Sequence, residues 1–247
     1  MEIAGRAALV TGGGTGLGRE ITLHLARRGA RVGIVYSKSQ ADAQRTAEDA
    51  RRLGTEAEAF RADVSLESDA RRVVAQHLDR FGQLALLVNN AGTTKFVAFP
   101  DLEGLSGDEW DRIQAVNVKG PWLLARAAAP ALRDAGGAIL NVASVAGLRP
   151  GGSSIAYCVS KAALIHLTSC LAVALAPEVR VNGIAPGLFL SRWVDGLSPQ
   201  RIAAMEDRAV LKRATRMEDL ARMAVEIALN DSMTGEMVVV DAGISLA

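Results

Sequence analysis

Two residues past the middle of the chain have the types and the spacing for proton transfer. Tyr157 and Lys161 lie four positions apart in Tyr157-Cys158-Val159-Ser160-Lys161, and side chains at i and i+4 share one face of a helix. A free phenol has a pKa of about 10 and is a poor base at neutral pH. A cation beside it favours the phenolate and lowers that pKa. The expected result is a group that donates or accepts a proton near working pH. Taken alone, Y-x-x-x-K is an ordinary pattern of helix surfaces, so its meaning depends on its surroundings.

A second group of residues suits a phosphate. Thr11-Gly12-Gly13-Gly14-Thr15-Gly16-Leu17-Gly18 follows the apolar run Ala7-Ala8-Leu9-Val10 and opens a helical pattern that runs to Arg28. Such a turn brings backbone N–H groups close to a pyrophosphate, and the helix N-terminus favours its charge. Glycine is needed because a Cβ would block the approach. The spacing departs from G-x-G-x-x-G, since Leu17 stands where the third glycine belongs. A merely flexible turn is the alternative, and the strand-to-helix setting favours dinucleotide binding.

Positioning these groups requires a sheet, and the chain supplies strand candidates at regular intervals. After Ala7–Val10 come Val32–Val35, Ala57–Arg61, Leu84–Val88, Ala138–Val142, Val179–Ile184 and Val238–Val240, seven in all. Most are apolar on both faces, as in a parallel sheet covered by helices. Helical patterns alternate with them, over about 40–53 and 66–81, Val118–Leu132, and one long apolar stretch, Ser154–Ala176. The expected fold is α/β: a single-domain, Rossmann-like, doubly wound sheet of about seven parallel strands flanked by helices, spanning 1–247. Ligands in such sheets bind beyond the carboxyl ends of the strands, and here those ends carry Gly, Asn, Ser or Pro. The least regular stretch, 187–212, is a candidate substrate lid.

Composition narrows the alternatives. The 247 residues carry a net charge of +1, which gives no electrostatic footprint for nucleic acid or an anionic membrane. Cys158 and Cys170 on one helix would lie ~18 Å apart, beyond disulfide reach, so free thiols and a cytoplasmic location are expected. The start Met1–Gly5 has no signal-peptide pattern. His24, His77 and His166 make no zinc-ligand spacing with cysteine, so no metal site is expected.

Together the motifs resemble the short-chain dehydrogenase/reductase family over essentially the whole chain. The family's T-G-x-x-x-G-x-G falls on 11–18, its N-N-A-G on Asn89–Gly92, and its Y-x-x-x-K on Tyr157–Lys161. Its asparagine falls on Asn117, its serine on Ser144, and its proline–glycine turn on Pro186-Gly187. The resemblance implies an NAD(P)-dependent enzyme that interconverts a carbonyl and an alcohol, with hydride leaving the B face of the nicotinamide. By resemblance the catalytic set is Asn117, Ser144, Tyr157 and Lys161. Ser144 would polarise the substrate carbonyl, Tyr157 would exchange the proton, Lys161 would hold the nicotinamide ribose, and Asn117 would anchor a water relaying protons to Lys161. The cofactor set is Gly12, Thr15, Gly16, Leu17, Gly18, Ser37, Lys38, Asp63, Val64, Asn90, Ala91, Gly92, Tyr157, Lys161, Pro186 and Gly187. Asp63 would receive the adenine amino group. Asn90 has an alternative role in bracing backbone between strands, and Asn117 in stabilising a helix bend.

Cofactor choice is read after the second strand. An acid there would bind the ribose 2′-hydroxyl of NAD and repel a 2′-phosphate; Tyr36-Ser37-Lys38-Ser39 offers hydroxyls and an ammonium instead. NADP(H) is favoured over NAD(H), although Thr15 departs from the arginine that many NADP-using members carry. A serine hydrolase is disfavoured, since no G-x-S-x-G is present. A dinucleotide sensor should have lost Tyr157 or Lys161. Sugar-nucleotide epimerases with the same motif carry an added substrate domain.

The substrate pocket is expected to include Thr93, Thr94, Val145, Gly147, Gly151, Leu188 and the 187–212 segment, with Arg149 and Arg192 nearest for an anionic group. The runner-up function is 3-oxoacyl-(acyl carrier protein) reduction. The arginines such enzymes present to the carrier align near Ala138 and Val173, so a free small molecule is preferred. The apolar residues of a Ser154–Ala176 helix are spread around its whole circumference, and such a helix must be covered all round. Its interruption by Ser160, Lys161, His166, Thr168 and Ser169 disfavours a membrane span. Packing against a second copy, in a homo-oligomer and most often a tetramer in family members, is the expectation.

Overall fold

The structure, a computed structural model, describes residues 1–196 and 198–246. Seven parallel strands form one sheet: β1 (Ala7–Thr11), β2 (Arg31–Tyr36), β3 (Ala57–Arg61), β4 (Leu86–Asn89), β5 (Ala138–Val142), β6 (Arg180–Pro186) and β7 (Met237–Val240). Their order, β3-β2-β1-β4-β5-β6-β7, reverses between β1 and β4. The connections run outward in both directions from that seam, which leaves a crevice at its carboxyl end.

Both faces of the sheet are covered, and alternate residues of each strand feed opposite layers. In β1, Ala8 and Val10 join the core shared with α1 (Gly16–Arg27), α2 (Gln40–Arg52) and α8 (Met217–Leu229). Ala7 and Leu9 join the core shared with α3 (Glu67–Phe81), α5 (Gly120–Asp134) and α6 (Ile155–Leu175). This explains why the strands are apolar throughout: neither face meets water. The remaining helices are α4 (Gly107–Gln114) and α7 (Pro199–Arg208).

Several boundaries differ from the sequence expectation for visible reasons. β6 continues two residues beyond Ile184, because Ala185 and Pro186 pair with Val239 and Val240 of β7. The long helix loses one residue at each end: Ser154 caps it by accepting from the Tyr157 N–H, and Ala176 is extended. The helix expected from Val118 begins earlier, as α4, and passes through a π-helical turn over Ala115–Lys119 before α5. The stretch Phe99–Asp108 leads into α4 through a reciprocal cap in which Ser106 and Glu109 satisfy each other's backbone N–H. Among its described residues, the 187–212 segment contains a 3₁₀ turn over Arg192–Val194 and the ten residues of α7.

Candidate active site

The carboxyl end of β1 is built to let backbones approach. Gly12 and Gly16 have φ of +63° and +52°, the left-handed region that glycine occupies without strain. Gly18 solves the puzzle of the displaced third glycine. A Cβ there would stand 2.2 Å from the Gly12 carbonyl oxygen and 2.4 Å from Asn90 Nδ2. Gly18 therefore makes the close packing, while Leu17 is buried in the core. Thr11 ties this turn to the next strand end. Its hydroxyl donates to the Val88 carbonyl and accepts from the N–H groups of Asn90 and Ala91. The Asn90 amide donates to the carbonyls of Thr11 and Gly12, so this side chain braces backbone across the β1–β4 seam.

A single cavity of about 1020 Å³ opens along the carboxyl ends of the strands, and every residue of the expected cofactor set lines it, together with Ser144. Its size lies at the upper end of ligand sites, roughly 300–1,000 Å³. The glycine-turn cradle, with Cβ-free approaches at Gly12 and Gly16 and the start of α1 behind them, fits a dinucleotide. Ser37 and Lys38 are exposed at the end of β2. Asp63 accepts from the N–H and hydroxyl of Ser65 and pairs with Arg112 at 3.0 Å. Burial would raise its carboxyl, but these hydrogen bonds outweigh it and hold the group below the usual carboxylate range.

The chemical end is built on β5 and α6. Ser144 follows β5 and caps the 3₁₀ turn Val145–Gly147 through Ala146 N–H, while its hydroxyl is also hydrogen-bonded to the Tyr157 phenol. Gly147 allows this turn to lie directly on α6: a Cβ would stand 2.6 Å from the Lys161 carbonyl carbon. Lys161 is buried and its Nζ donates to the Val142 carbonyl at 2.8 Å, with the Tyr157 ring centroid 5.7 Å away. That hydrogen bond leaves two ammonium N–H groups for other acceptors.

Electrostatics here differ from the expectation. Burial pushes the Tyr157 phenol up to about 12, overcoming the Ser144 hydrogen bond that pulls it down. Burial also pushes Lys161 down to about 8. Both shifts share one cause, since a dry environment disfavours the charged form of acid and base alike. The ammonium points its hydrogen bond at Val142 rather than at the phenol, so it does not lower the tyrosine. At neutral pH the phenol is protonated and the lysine is charged.

Asn117 is fully buried in the π-helical turn and does not line the cavity. Its amide accepts from the Thr93 N–H and donates to the Thr93 carbonyl and to Ser160 Oγ, which donates to the Tyr157 carbonyl. It thus ties the irregular turn to the helix that carries Tyr157. A parallel link runs from Asn89 through Asn141 to Thr168 on α6.

Thr93, Val145, Gly151 and Leu188 line the cavity as expected, but Thr94 and Gly147 do not. Thr94 is engaged with Ser153, and Gly147 is spent on packing against α6. Sequence reasoning missed Trp193, whose ring stacks edge-on against Tyr157 at 5.7 Å. An aromatic inside the irregular segment was the available signal. Phe96, Phe99 and Phe189 also line the walls. No histidine does: His24 lies on α1, His166 on the outer face of α6, and His77 between Phe60 and Phe81, where burial holds it down to about 4. A histidine base for serine chemistry is therefore missing from the cavity.

Comparison with known proteins places this architecture. A family model described as enoyl-(acyl carrier protein) reductase matches residues 12–245. A Streptomyces violaceoruber protein described as ketoacyl reductase 2 of the granaticin polyketide synthase is 38% identical, over 97% of this chain and 96% of that protein. The 3-oxoacyl-(acyl-carrier-protein) reductase FabG of Staphylococcus epidermidis is 32% identical over 96% of this chain and 98% of its own length. Among solved structures, the Pseudomonas aeruginosa RhlG/NADP active-site complex superposes with a TM-score of 0.91 at 35% identity, covering 98% of this chain and 97% of that one. A short-chain type dehydrogenase/reductase from Mycobacterium marinum gives 0.92 at 33%, covering 100% and 98%. With this fold, this crevice and these relatives, the chain is an NAD(P)-dependent oxidoreductase acting on carbonyl or alcohol groups and belongs to the short-chain dehydrogenase/reductase family.

Proposed function

We propose that the protein is an NADP(H)-dependent carbonyl reductase, reversible as an alcohol dehydrogenase, acting on a small-molecule substrate. The observation that carries this reading is the convergence of Ser144, Tyr157 and Lys161 at the carboxyl end of β5, beside the glycine cradle in the same cavity. The nicotinamide, when bound, supplies or accepts the hydride. Gly12 and the backbone of Thr15–Gly18 would hold the diphosphate. Asp63 and Val64 would flank the adenine, and Asn90–Gly92, Pro186 and Gly187 would line the nicotinamide side. The free ammonium N–H groups of Lys161 and the Tyr157 phenol would meet the ribose.

Ser144 and Tyr157 are hydrogen-bonded neighbours on the cavity wall, so one substrate oxygen entering between them can meet both hydroxyls. Ser144 donates to that oxygen and polarises the C=O bond. Tyr157, protonated at neutral pH, gives its proton to the oxygen as charge develops there. The charge that then resides on the phenol is met by Lys161. Asn117 positions Tyr157 through Ser160 and leaves one Oδ1 lone pair for a water. In oxidation each transfer runs backwards.

NADP(H) is favoured by Ser37 and Lys38, with no carboxylate at the end of β2, and by the NADP named in the RhlG complex. The name of the FabG relative supports 3-oxoacyl-(acyl carrier protein) reduction as a second reading, although the positions expected to meet a carrier, Ala138 and Val173, are apolar. Turnover of a panel of ketones, diketones and 3-oxoacyl thioesters with NADPH and with NADH tests both readings. Consumption of NADPH in preference to NADH is expected, and equal or faster turnover of carrier-bound substrates would favour the second.

The same reading includes a homo-oligomer, as a tetramer, in the cytoplasm. Residues Ile155, Val159, Ala162, His166, Cys170 and Val173 form an exposed stripe down α6, with Val173 82% exposed. Trp122 on α5, stacked under Arg126, is also exposed. The 187–212 segment packs on Tyr157 instead of covering this stripe. By length and composition α6 could cross a membrane, but Ser160, Lys161 and Thr168 make hydrogen bonds within the fold, which favours a core helix packed against a second copy. A mass near the single-chain 25.9 kDa by light scattering would contradict the assembly.

A further inference from the structure

The cavity wall is unequal in charge. Among the described residues Asp63 is the one carboxylate that lines it, against several cations. Most of those cations have an evident task. Arg112 is paired with Asp63, Arg192 with Asp42, and Lys161 is bound to Val142. Lys38 stands at the end of β2, where the nucleotide's own charge is met. Arg149 is near enough to Asp241 to help hold that carboxyl down. Two cations on one helix remain, Arg201 and Arg208. Neither lies within ion-pair distance of a carboxylate among the described residues, and both are exposed.

Their helix sorts its charges. Arg201, Met205 and Arg208 follow the i, i+4, i+7 rule and so share the face of α7 that lines the cavity. The acids of the same helix are used elsewhere: Glu206 accepts from the Ala214 N–H and Asp207 pairs with Lys212. The segment that bears α7 is the one whose Trp193 packs on Tyr157. Ile244 and Ser245 of the C-terminal turn line the same cavity. The same lining includes the apolar side chains of Phe96, Phe99, Leu188 and Phe189. A neutral ketone would have no use for two guanidinium groups there, about 10 Å apart along the helix.

We propose that Arg201 and Arg208, with Met205 between them, form an anion subsite in the substrate half of the cavity, so that the preferred carbonyl substrate carries a carboxylate or a phosphate on the arm away from its reacting carbon. The proposal rests on the carbonyl-reductase reading above. Guanidinium groups bind either anion through paired hydrogen bonds. The anion has two sources, a free keto acid or the phosphate of a pantetheine-type thioester.

Matched substrates separate them. One pair is a keto acid and its methyl ester; the other is a 3-oxoacyl thioester of coenzyme A and that of phosphate-free N-acetylcysteamine. The charged partner of at least one pair should be favoured about tenfold or more in kcat/KM, since hydrogen bonds to charged groups are worth that much. Arg201→Gln/Arg208→Gln should bring the ratio close to one. The pair that responds identifies the anion. In parallel, the Tyr157→Phe protein loaded with NADP⁺ is titrated with the keto acid and with the coenzyme A thioester by calorimetry, with and without the arginine changes. Arginine-dependent binding without turnover of any substrate by the unmodified protein would keep the subsite and sink the reductase reading. No charge preference in turnover or binding would overturn the subsite. So would a raised KM for NADPH at an unchanged preference, which would assign the arginines to the dinucleotide.

Discussion

The two ends of the cavity do their work with different parts of the chain. The β1–α1 end uses backbone: Gly12, Gly16 and Gly18 contribute their lack of side chains, and Thr11 and Asn90 hold the strand ends in place. The β5–α6 end uses side chains, with Ser144, Tyr157 and Lys161 placed on an almost wholly apolar helix and the turn beside it. The first tolerates no added atoms; the second tolerates no lost hydroxyl or amine. Binding and chemistry should therefore fail separately when each end is perturbed.

A pair of glycine substitutions is the strongest way to break that separation. Gly18→Ala puts a methyl into the Gly12 carbonyl and the Asn90 amide. Over-packing costs about 1–3 kcal/mol, so NADPH affinity should fall by roughly 5- to 150-fold. Gly147→Ala presses the Ser144 turn away from α6, and its loss of similar size should appear in kcat with the NADPH dissociation constant nearly unchanged. If both variants lose affinity equally, the two ends are not independent.

The pH dependence sharpens the chemical end. Lys161 is lowered to about 8, so it is charged below that pH and neutral above it. The kcat/KM for NADPH, which reports groups of the free protein, should be level below pH 8 and fall about tenfold per unit above it. Lys161→Arg retains the charge and should remove this limb even if the overall rate drops. A level profile to pH 10 in the unmodified protein would show that this ammonium is not required.

A smaller effect is expected at the outer edge of the nucleotide end. On the proposed NADP(H) reading, Lys38→Asp replaces the cation that would meet a 2′-phosphate with an acid suited to a free hydroxyl. The NADPH-to-NADH ratio of kcat/KM should fall by about tenfold, in line with the loss of one charge-assisted hydrogen bond. An unchanged ratio would place the 2′-phosphate elsewhere.

The same contrast explains what was legible in the sequence. A parallel sheet buried on both faces leaves apolar runs at fixed intervals, and β1, β3 and β5 fall where Ala7–Val10, Ala57–Arg61 and Ala138–Val142 suggested. A backbone cradle requires glycine, so the glycine turn after β1 was readable, although the close-packing role of Gly18 shows only in the structure. Lys161 was singled out by its spacing of four from Tyr157. The π-helical turn at Asn117 left no such trace: its geometry depends on hydrogen bonds to Thr93 and Ser160 from other elements. Trp193 and the arginines of α7 escaped for a related reason. Nothing in 187–212 has the periodicity of a core element, since this segment packs over the cavity rather than against the sheet. The direction of the tyrosine shift also depended on tertiary structure, because spacing shows that a cation is near but not how dry the site is.

The central claim is that the Tyr157 phenol is the proton donor of a hydride-transfer reaction. The most direct test is Tyr157→Phe, assayed for NADPH consumption with a ketone that the unmodified protein reduces and, in parallel, for NADPH binding by fluorescence. Loss of a positioned proton donor should lower kcat at least ~100-fold, while NADPH binds within a few-fold of the unmodified protein. Retention of more than a tenth of the original rate would contradict the assignment.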